Sequence, residues 1–135
     1  MTFATIVSDH AAIRPDALAA AADGGTLNYS QFAENAGRLG SWLVEQRAER
    51  IAILGSRSLG AFIAVMGAAW AGAAYIPLSL KAPAERLAAI LDQARPDVLL
   101  IDRHGANLVD AALEQNLIIP AHILLRRSSW RTRLV

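Results

Sequence analysis

Few residues in this chain are of a type and spacing that could do chemistry. Gly55-Ser56-Arg57-Ser58-Leu59-Gly60 follows an apolar run and opens a helical pattern, the setting in which glycine-rich loops hold phosphate on helix N-terminal N–H groups. A P-loop needs Lys then Ser or Thr after its second glycine, and Ala61-Phe62 stands there. The dinucleotide fingerprint needs another glycine spacing and an acid after the next strand, where Pro77-Leu78 stands. The hexapeptide therefore reads as a tight strand-to-helix turn. His10, His104 and His122 are far apart, and with no cysteine and no pair at metal-ligand spacing they define no metal site. Ser8, Asp9 and His10 adjoin in sequence, whereas a nucleophilic triad is assembled in space from separate segments; no Gly-x-Ser-x-Gly elbow occurs, so no hydrolase is indicated. Trp130 lies among Arg126, Arg127, Arg131 and Arg133, groups that can stack on RNA bases or sit at a membrane interface, but a short basic end reads first as a solvated tail. No catalytic, cofactor-binding or metal-ligating residue is assigned.

Composition sets the frame for these residues. A chain of 135 residues, 54% hydrophobic, has room for one domain with a single core. Charged residues are 19% and the net charge is +1, which gives no reason to expect a nucleic-acid partner. The basic character belongs to the four arginines at the end, without which the balance would be negative. The absence of cysteine suits a reducing compartment, and Met1-Thr2-Phe3-Ala4-Thr5-Ile6 lacks a basic region followed by a long apolar run, so a cytoplasmic protein without a secretory signal is expected. Ser58 to Leu80 carries no charge and is long enough to be weighed as a membrane helix. It is built largely from Ala and Gly, and Gly72 and Pro77 would break it, so no membrane partner is expected.

The elements that must position these residues alternate. An Ala-rich opening ending at Asp9 to Ile13 suggests a short helix closed by Arg14-Pro15. Leu18 to Ala22, then Asp23-Gly24-Gly25 and Thr26-Leu27-Asn28-Tyr29, read as a hairpin. Ser30 is positioned to cap a helix whose apolar face is Phe32, Ala36, Leu39 and Leu43, ending near Gln46. Ile51-Ala52-Ile53-Leu54 is an unbroken apolar run of the kind found in strands buried on both faces of a parallel sheet. Ser58 caps a helix to about Ala71, Gly72 ends it, and Ala74-Tyr75-Ile76 follows as a second buried strand stopped by Pro77. Pro83 fits the first turn of another helix with Leu87, Ile90, Leu91 and Ala94 as its stripe, ended by Arg95-Pro96. Asp97 to Asp102 reads as a third parallel strand, with a weaker helix from Asn107 to Gln115 and a further strand at Leu117-Ile118-Ile119. The expected architecture is an α/β fold: an open, layered, mostly parallel sheet with flanking helices over residues 1–125, and a basic, poorly ordered tail over 126–135.

Several segments, in order, carry a resemblance. Leu27-Asn28-Tyr29-Ser30-Gln31-Phe32 resembles the Leu-Thr-Tyr-x-Glu-Leu motif that opens amino-acid adenylation domains, the activating modules of nonribosomal peptide synthetases and of D-alanine ligases. Ala71-Gly72-Ala73-Ala74-Tyr75-Ile76-Pro77-Leu78 matches their second motif closely, and Pro83-Ala84-Glu85-Arg86-Leu87 follows where the family has it. Arg14-Pro15-Asp16-Ala17 and Ile51-Ala52-Ile53-Leu54 also look like their counterparts, so the likeness covers about residues 3 to 102. Trp70 stands where the family usually has Lys, Ser79 where it has Asp, and Gln46-Arg47-Ala48-Glu49 is a shorter connection than the family's.

The resemblance implies the N-terminal subdomain of the adenylate-forming fold. It also implies, for the full-length family, ATP- and Mg-dependent attack of a carboxylate on the α-phosphate, followed by transfer of the acyl group to a thiol. The family's phosphate loop with its Lys, its ribose-binding Asp, its specificity pocket and its catalytic Lys map onto no residue here, so this chain alone is expected to be inactive and to need no cofactor. Its expected partners are a second copy or the enzyme's missing subdomains. Two alternatives are a small scaffold or interaction protein derived from the fold, and a membrane-associated protein using residues 58–80.

Overall fold

The structure, a computed structural model, describes residues 3–22, 25–117 and 122–124. The chain runs α1 (Phe3–Ile13), β1 (Leu18–Ala22), β2 (Gly25–Asn28), α2 (Tyr29–Glu45), β3 (Arg50–Leu54), α3 (Leu59–Ala71), β4 (Ala74–Leu78), α4 (Ala84–Ala94), β5 (Val98–Ile101), α5 (Arg103–Glu114) and β6 (His122–Leu124). β1 and β2 form an antiparallel hairpin, and the other strands form a parallel sheet in the order β4-β3-β5-β6. The α/β architecture expected from the alternating pattern is therefore present.

The sheet is central because β3 and β5 are apolar on both faces. Ile51 and Ile53 of β3, with Val98 and Leu100 of β5, pack with Phe32, Leu39 and Leu43 of α2 and Leu59, Ile63, Ala64 and Ala68 of α3. On the opposite face Ala52, Leu54, Leu99 and Ile101 meet Leu87 and Leu91 of α4 and Val109 of α5. Alternation along each strand sends successive side chains to the two layers.

Helices α2 and α3 approach closely through glycine. A Cβ on Gly67 of α3 would lie 2.7 Å from Leu39 Cδ2, and one on Gly40 of α2 would lie 2.7 Å from Trp70 Cδ1. Trp70, the departure from the family's usual Lys, thus lies against α2, with its ring also beside Gly37.

Several expected boundaries shift, each for a physical reason. α2 is capped by Asn28 and not by Ser30. Asn28 Oδ1 accepts from the Gln31 N–H at 2.8 Å while the Asn28 N–H donates to Gln31 Oε1 at 3.0 Å, a reciprocal capping box. Pro83 sits at the N-cap of α4 with extended angles, one position before the first turn. Strand β4 continues through Pro77 to Leu78 and is largely exposed, because it is the edge of the sheet, where a missing N–H is tolerated. α5 begins at Arg103, four residues before the expected Asn107, since Asp102 caps it and does not extend β5. Ile118 and Ile119 of the expected last strand, and the tail from residue 126, lie outside the described residues; the strand observed is β6.

At the amino ends of the strands, Asp97 ties the sheet together. Its Oδ2 accepts the N–H groups of Glu49 at 2.8 Å and Arg50 at 3.0 Å, and its own N–H donates to the Arg50 carbonyl at 2.8 Å. The N–H of Arg50 and then that of Glu49 hold this carboxyl below its usual range.

Candidate functional site

At the carboxyl ends of β3 and β5 the chain diverges. β3 leads through α3 to β4 on one side, and β5 leads through α5 to β6 on the other. The first residues of α3 pack in the layer on one face of the sheet and Val109 of α5 packs on the other. This is a topological switch point, the place where open α/β sheets bind their ligands. The turn over residues 55–58 and the turn over 102–105 face each other there.

One side chain fills the space between them. Asp102 Oδ2 accepts from the Ser56 N–H at 2.8 Å, the Ser56 hydroxyl at 3.1 Å and the Ser58 hydroxyl at 2.7 Å, and Oδ1 accepts from the Gly105 N–H at 2.8 Å. Ser58 Oγ in turn accepts the Ala61 N–H at 3.0 Å, which caps α3, while the Asp102–Gly105 bond caps α5. A single carboxylate therefore joins the N-termini of two helices on opposite faces of the sheet, where both helix dipoles favour negative charge. Asp102 is 3% exposed and, among the described residues, takes part in no ion pair. Burial pushes its pKa up, but the hydrogen bonds from Ser58, Gly105 and Ser56 prevail and hold it below the usual carboxylate value.

Two glycines allow this fit. A Cβ on Gly105 would collide with the Leu54 carbonyl oxygen, and one on Gly55 would lie 3.0 Å from Asp102 Oδ2 and 3.2 Å from Ala61 Cβ. The hexapeptide Gly55 to Gly60 is thus the tight strand-to-helix turn its sequence suggests, with the Ser56 N–H and both serine hydroxyls turned inward to Asp102. Asp102 itself was not legible as part of a site, because its partners Ser56 and Ser58 are 46 and 44 residues away. The available signal was an acid ending one apolar run and a Ser-x-Ser ending another.

The remaining candidates do not converge. His10, at the end of α1, stacks on Tyr29 with ring centroids 5.2 Å apart and planes inclined by 28°. His104 is exposed in the first turn of α5, and among the described residues no group of His, Cys, Asp or Glu is arranged to hold a metal. Ser8 and Asp9 lie on α1, and neither is among the hydrogen-bond partners of Asp102 at the switch point. Trp130 and the four C-terminal arginines lie outside the described residues. The uncharged run Ser58 to Leu80 is divided into α3, the left-handed Gly72 and β4, and no helix among the described residues is long and apolar enough to cross a membrane. An open cleft of about 580 Å³ lies at the C-terminal ends of α4 and α5, lined by Leu91, Asp92, Arg95, Pro96 and Asn116 among others.

Comparison with known proteins places this fold. The chain matches the AMP-binding enzyme family over residues 7–133 and belongs to that family. It is 36% identical over 112 residues to an isonitrile lipopeptide synthase of Streptomyces coeruleorubidus, a match covering 80% of this chain and 8% of the synthase. It is 38% identical over 103 residues to the cyclosporin synthetase of Tolypocladium inflatum, covering 74% of this chain and 1% of that protein. A dimodular nonribosomal peptide synthase of Bacillus subtilis is 33% identical over 72% of this chain, which spans 4% of it. Among solved structures, IdnL7 superposes with a TM-score of 0.79 at 23% identity, over 99% of this chain and 28% of its own. A benzoate CoA ligase of Burkholderia xenovorans gives 0.80 at 20% identity, over 96% of this chain and 27% of the ligase. These two likenesses concern the fold, and the chain spans only a small part of each of these relatives.

Proposed function

We propose that this chain is the N-terminal portion of an amino-acid adenylating enzyme of the nonribosomal peptide synthetase kind, and that by itself it forms no acyl-adenylate. The observation that carries the first part is the 36% identity to a lipopeptide synthase over a stretch covering 80% of the chain. The matched motif residues have structural tasks here. Gly72 ends α3 in a left-handed conformation, Tyr75 and Ile76 lie in β4, and Pro83 starts α4.

The second part rests on the groups available for adenylyl transfer. That chemistry depends on cations and N–H donors aimed at developing charge. The chain has one lysine, Lys81, in the connection between β4 and α4, whereas the reaction of the resembling enzymes uses one lysine in a phosphate loop and another as catalyst. At the switch point, the Ser56 and Gly105 N–H groups and both serine hydroxyls are already bonded to Asp102. ATP and Mg are then requirements of a whole enzyme that contains such a portion.

Two measurements test this reading. Amino-acid-dependent ATP–pyrophosphate exchange by the purified 135-residue chain is expected to equal a heat-killed control, and exchange above it would overturn the claim of inactivity. A chimera carrying residues 7–117 of this chain in place of the matching segment of the lipopeptide synthase is expected to retain exchange. A folded chimera without exchange would overturn the assignment as a portion of such an enzyme.

A further inference from the structure

We infer that the Ser56 N–H, the Ser56 and Ser58 hydroxyls and the Gly105 N–H form a carboxylate receptor at the switch point, with the Asp102 side chain as its tethered occupant. In this state the crevice is closed to other anions, so a ligand phosphate has no place there. The observation beneath this is the donor set. All four hydrogen bonds come from neutral groups, both carboxylate oxygens are used, and no cation pairs with the group among the described residues. A carboxylate held in this way depends on donors fixed in advance, as in an anion site built from turns and helix N-termini.

Two of the four donors, the Ser58 hydroxyl and the Gly105 N–H, are fixed by contacts that do not involve the carboxylate. Ser58 is buried and its oxygen is oriented by the Ala61 N–H it caps. Gly105 lies so close to the Leu54 carbonyl that no side chain fits. Leu54 itself is held in parallel register with Ile101, and the Asp102 N–H donates back to the Leu54 carbonyl at 3.3 Å. Deleting the carboxylate should therefore leave these two donors in place beside a void of its own size, with the Ser56 N–H and hydroxyl free to close on an anion that enters it. The shape of that void follows from what is removed. Asp102→Ala deletes one carboxylate and keeps Cβ, leaving room for formate and none for the methyl of acetate. Asp102→Gly deletes Cβ as well and makes room for acetate. Inorganic phosphate, tetrahedral and larger, fits neither.

The test is chemical rescue of the full chain. Melting midpoints of wild type, Asp102→Ala and Asp102→Gly are measured against formate, acetate, phosphate and chloride at matched ionic strength and pH 7, with the wild-type response subtracted. Expected is a saturable rise in the Ala variant with formate, of about 5 °C for a domain of this size. Acetate should act on the Gly variant and not on the Ala variant, and a further Ser58→Ala change should diminish both responses. If Asp102→Ala does not fold in chloride, refolding from urea is compared in formate and chloride. Recovery of helical circular dichroism in formate alone supports the receptor, and equal failure in both overturns it. Equal responses to all anions, the same order of anions in both variants, or phosphate acting best would also overturn it. Adenylation activity enters none of these readouts, so this result and the proposed function stand or fall separately.

Discussion

The indole of Trp70, near the end of α3, lies so close to Gly40 of α2 that a Cβ on Gly40 would come within 2.7 Å of Trp70 Cδ1 and 2.8 Å of its Cβ. The two helices meet at this point because one has no side chain where the other has its largest.

That relationship predicts a change of sign. Gly40→Ala in the wild-type chain introduces a clash in a packed interface, where overpacking costs about 1–3 kcal/mol, more than the gain of up to about 1 kcal/mol from replacing glycine in a helix. In a Trp70→Gly background, which removes Cβ together with the indole, the clash is gone, and the same change should stabilise by about 0.5–1 kcal/mol. Urea denaturation of the four proteins measures it, and additive effects would show that Trp70 is not what requires Gly40.

Asp102 predicts a dependence on pH. Its folded pKa is depressed, so its contribution is fully present above the ordinary carboxylate value of about 3.9 and is lost as pH falls through the lower folded value. Asp102→Asn removes the charge and turns an amide N–H₂ toward donors, for an expected loss of about 2–3 kcal/mol at neutral pH. The gap between wild type and variant should be constant from about pH 5 upward and narrow below about pH 4 as the wild-type carboxyl takes up a proton. A gap unchanged down to the acid transition would mean that the carboxylate charge contributes nothing.

The sequence revealed the strands and helices between Arg50 and Ile101 because an apolar run of strand length alternates there with helical stripes, and tertiary packing follows those stripes. It did not reveal which strand lies at an edge. Ala74-Tyr75-Ile76 reads as a buried run, yet β4 has a strand on one side only among the described residues, and Tyr75 is 46% exposed. Local chemistry misled at two caps. Ser30 has the right residue type, but Asn28 and Gln31 satisfy each other's backbone N–H groups. Asp102 looks like the end of a strand until residues 46 and 44 positions earlier are brought against it. Long-range pairing of that kind leaves no periodic trace.

Gly72 predicts a purely conformational loss. Its φ of 69° lies in the left-handed region, and a Cβ there would meet nothing within 4 Å. Gly72→Val should therefore destabilise by about 1–2 kcal/mol through backbone strain alone. Gly72→Asn should lose less, because asparagine tolerates this region. Equal melting midpoints for Gly72→Val and wild type would remove that role.

Strand β4 supports a final expectation, that copies of this chain associate. Among the described residues no strand covers its outer side, Tyr75 stands largely exposed beside the half-buried Ile76, and the chain's net charge of +1 offers little repulsion. Pro77 removes one donor from the strand without burying its apolar surface. The apparent mass by light scattering coupled to size exclusion should rise with loading, and Tyr75→Lys should lower it toward the monomer by placing charge on that edge. A wild-type chain that elutes as a monomer at every concentration would show that β4 is sufficiently protected by its own short, proline-containing edge.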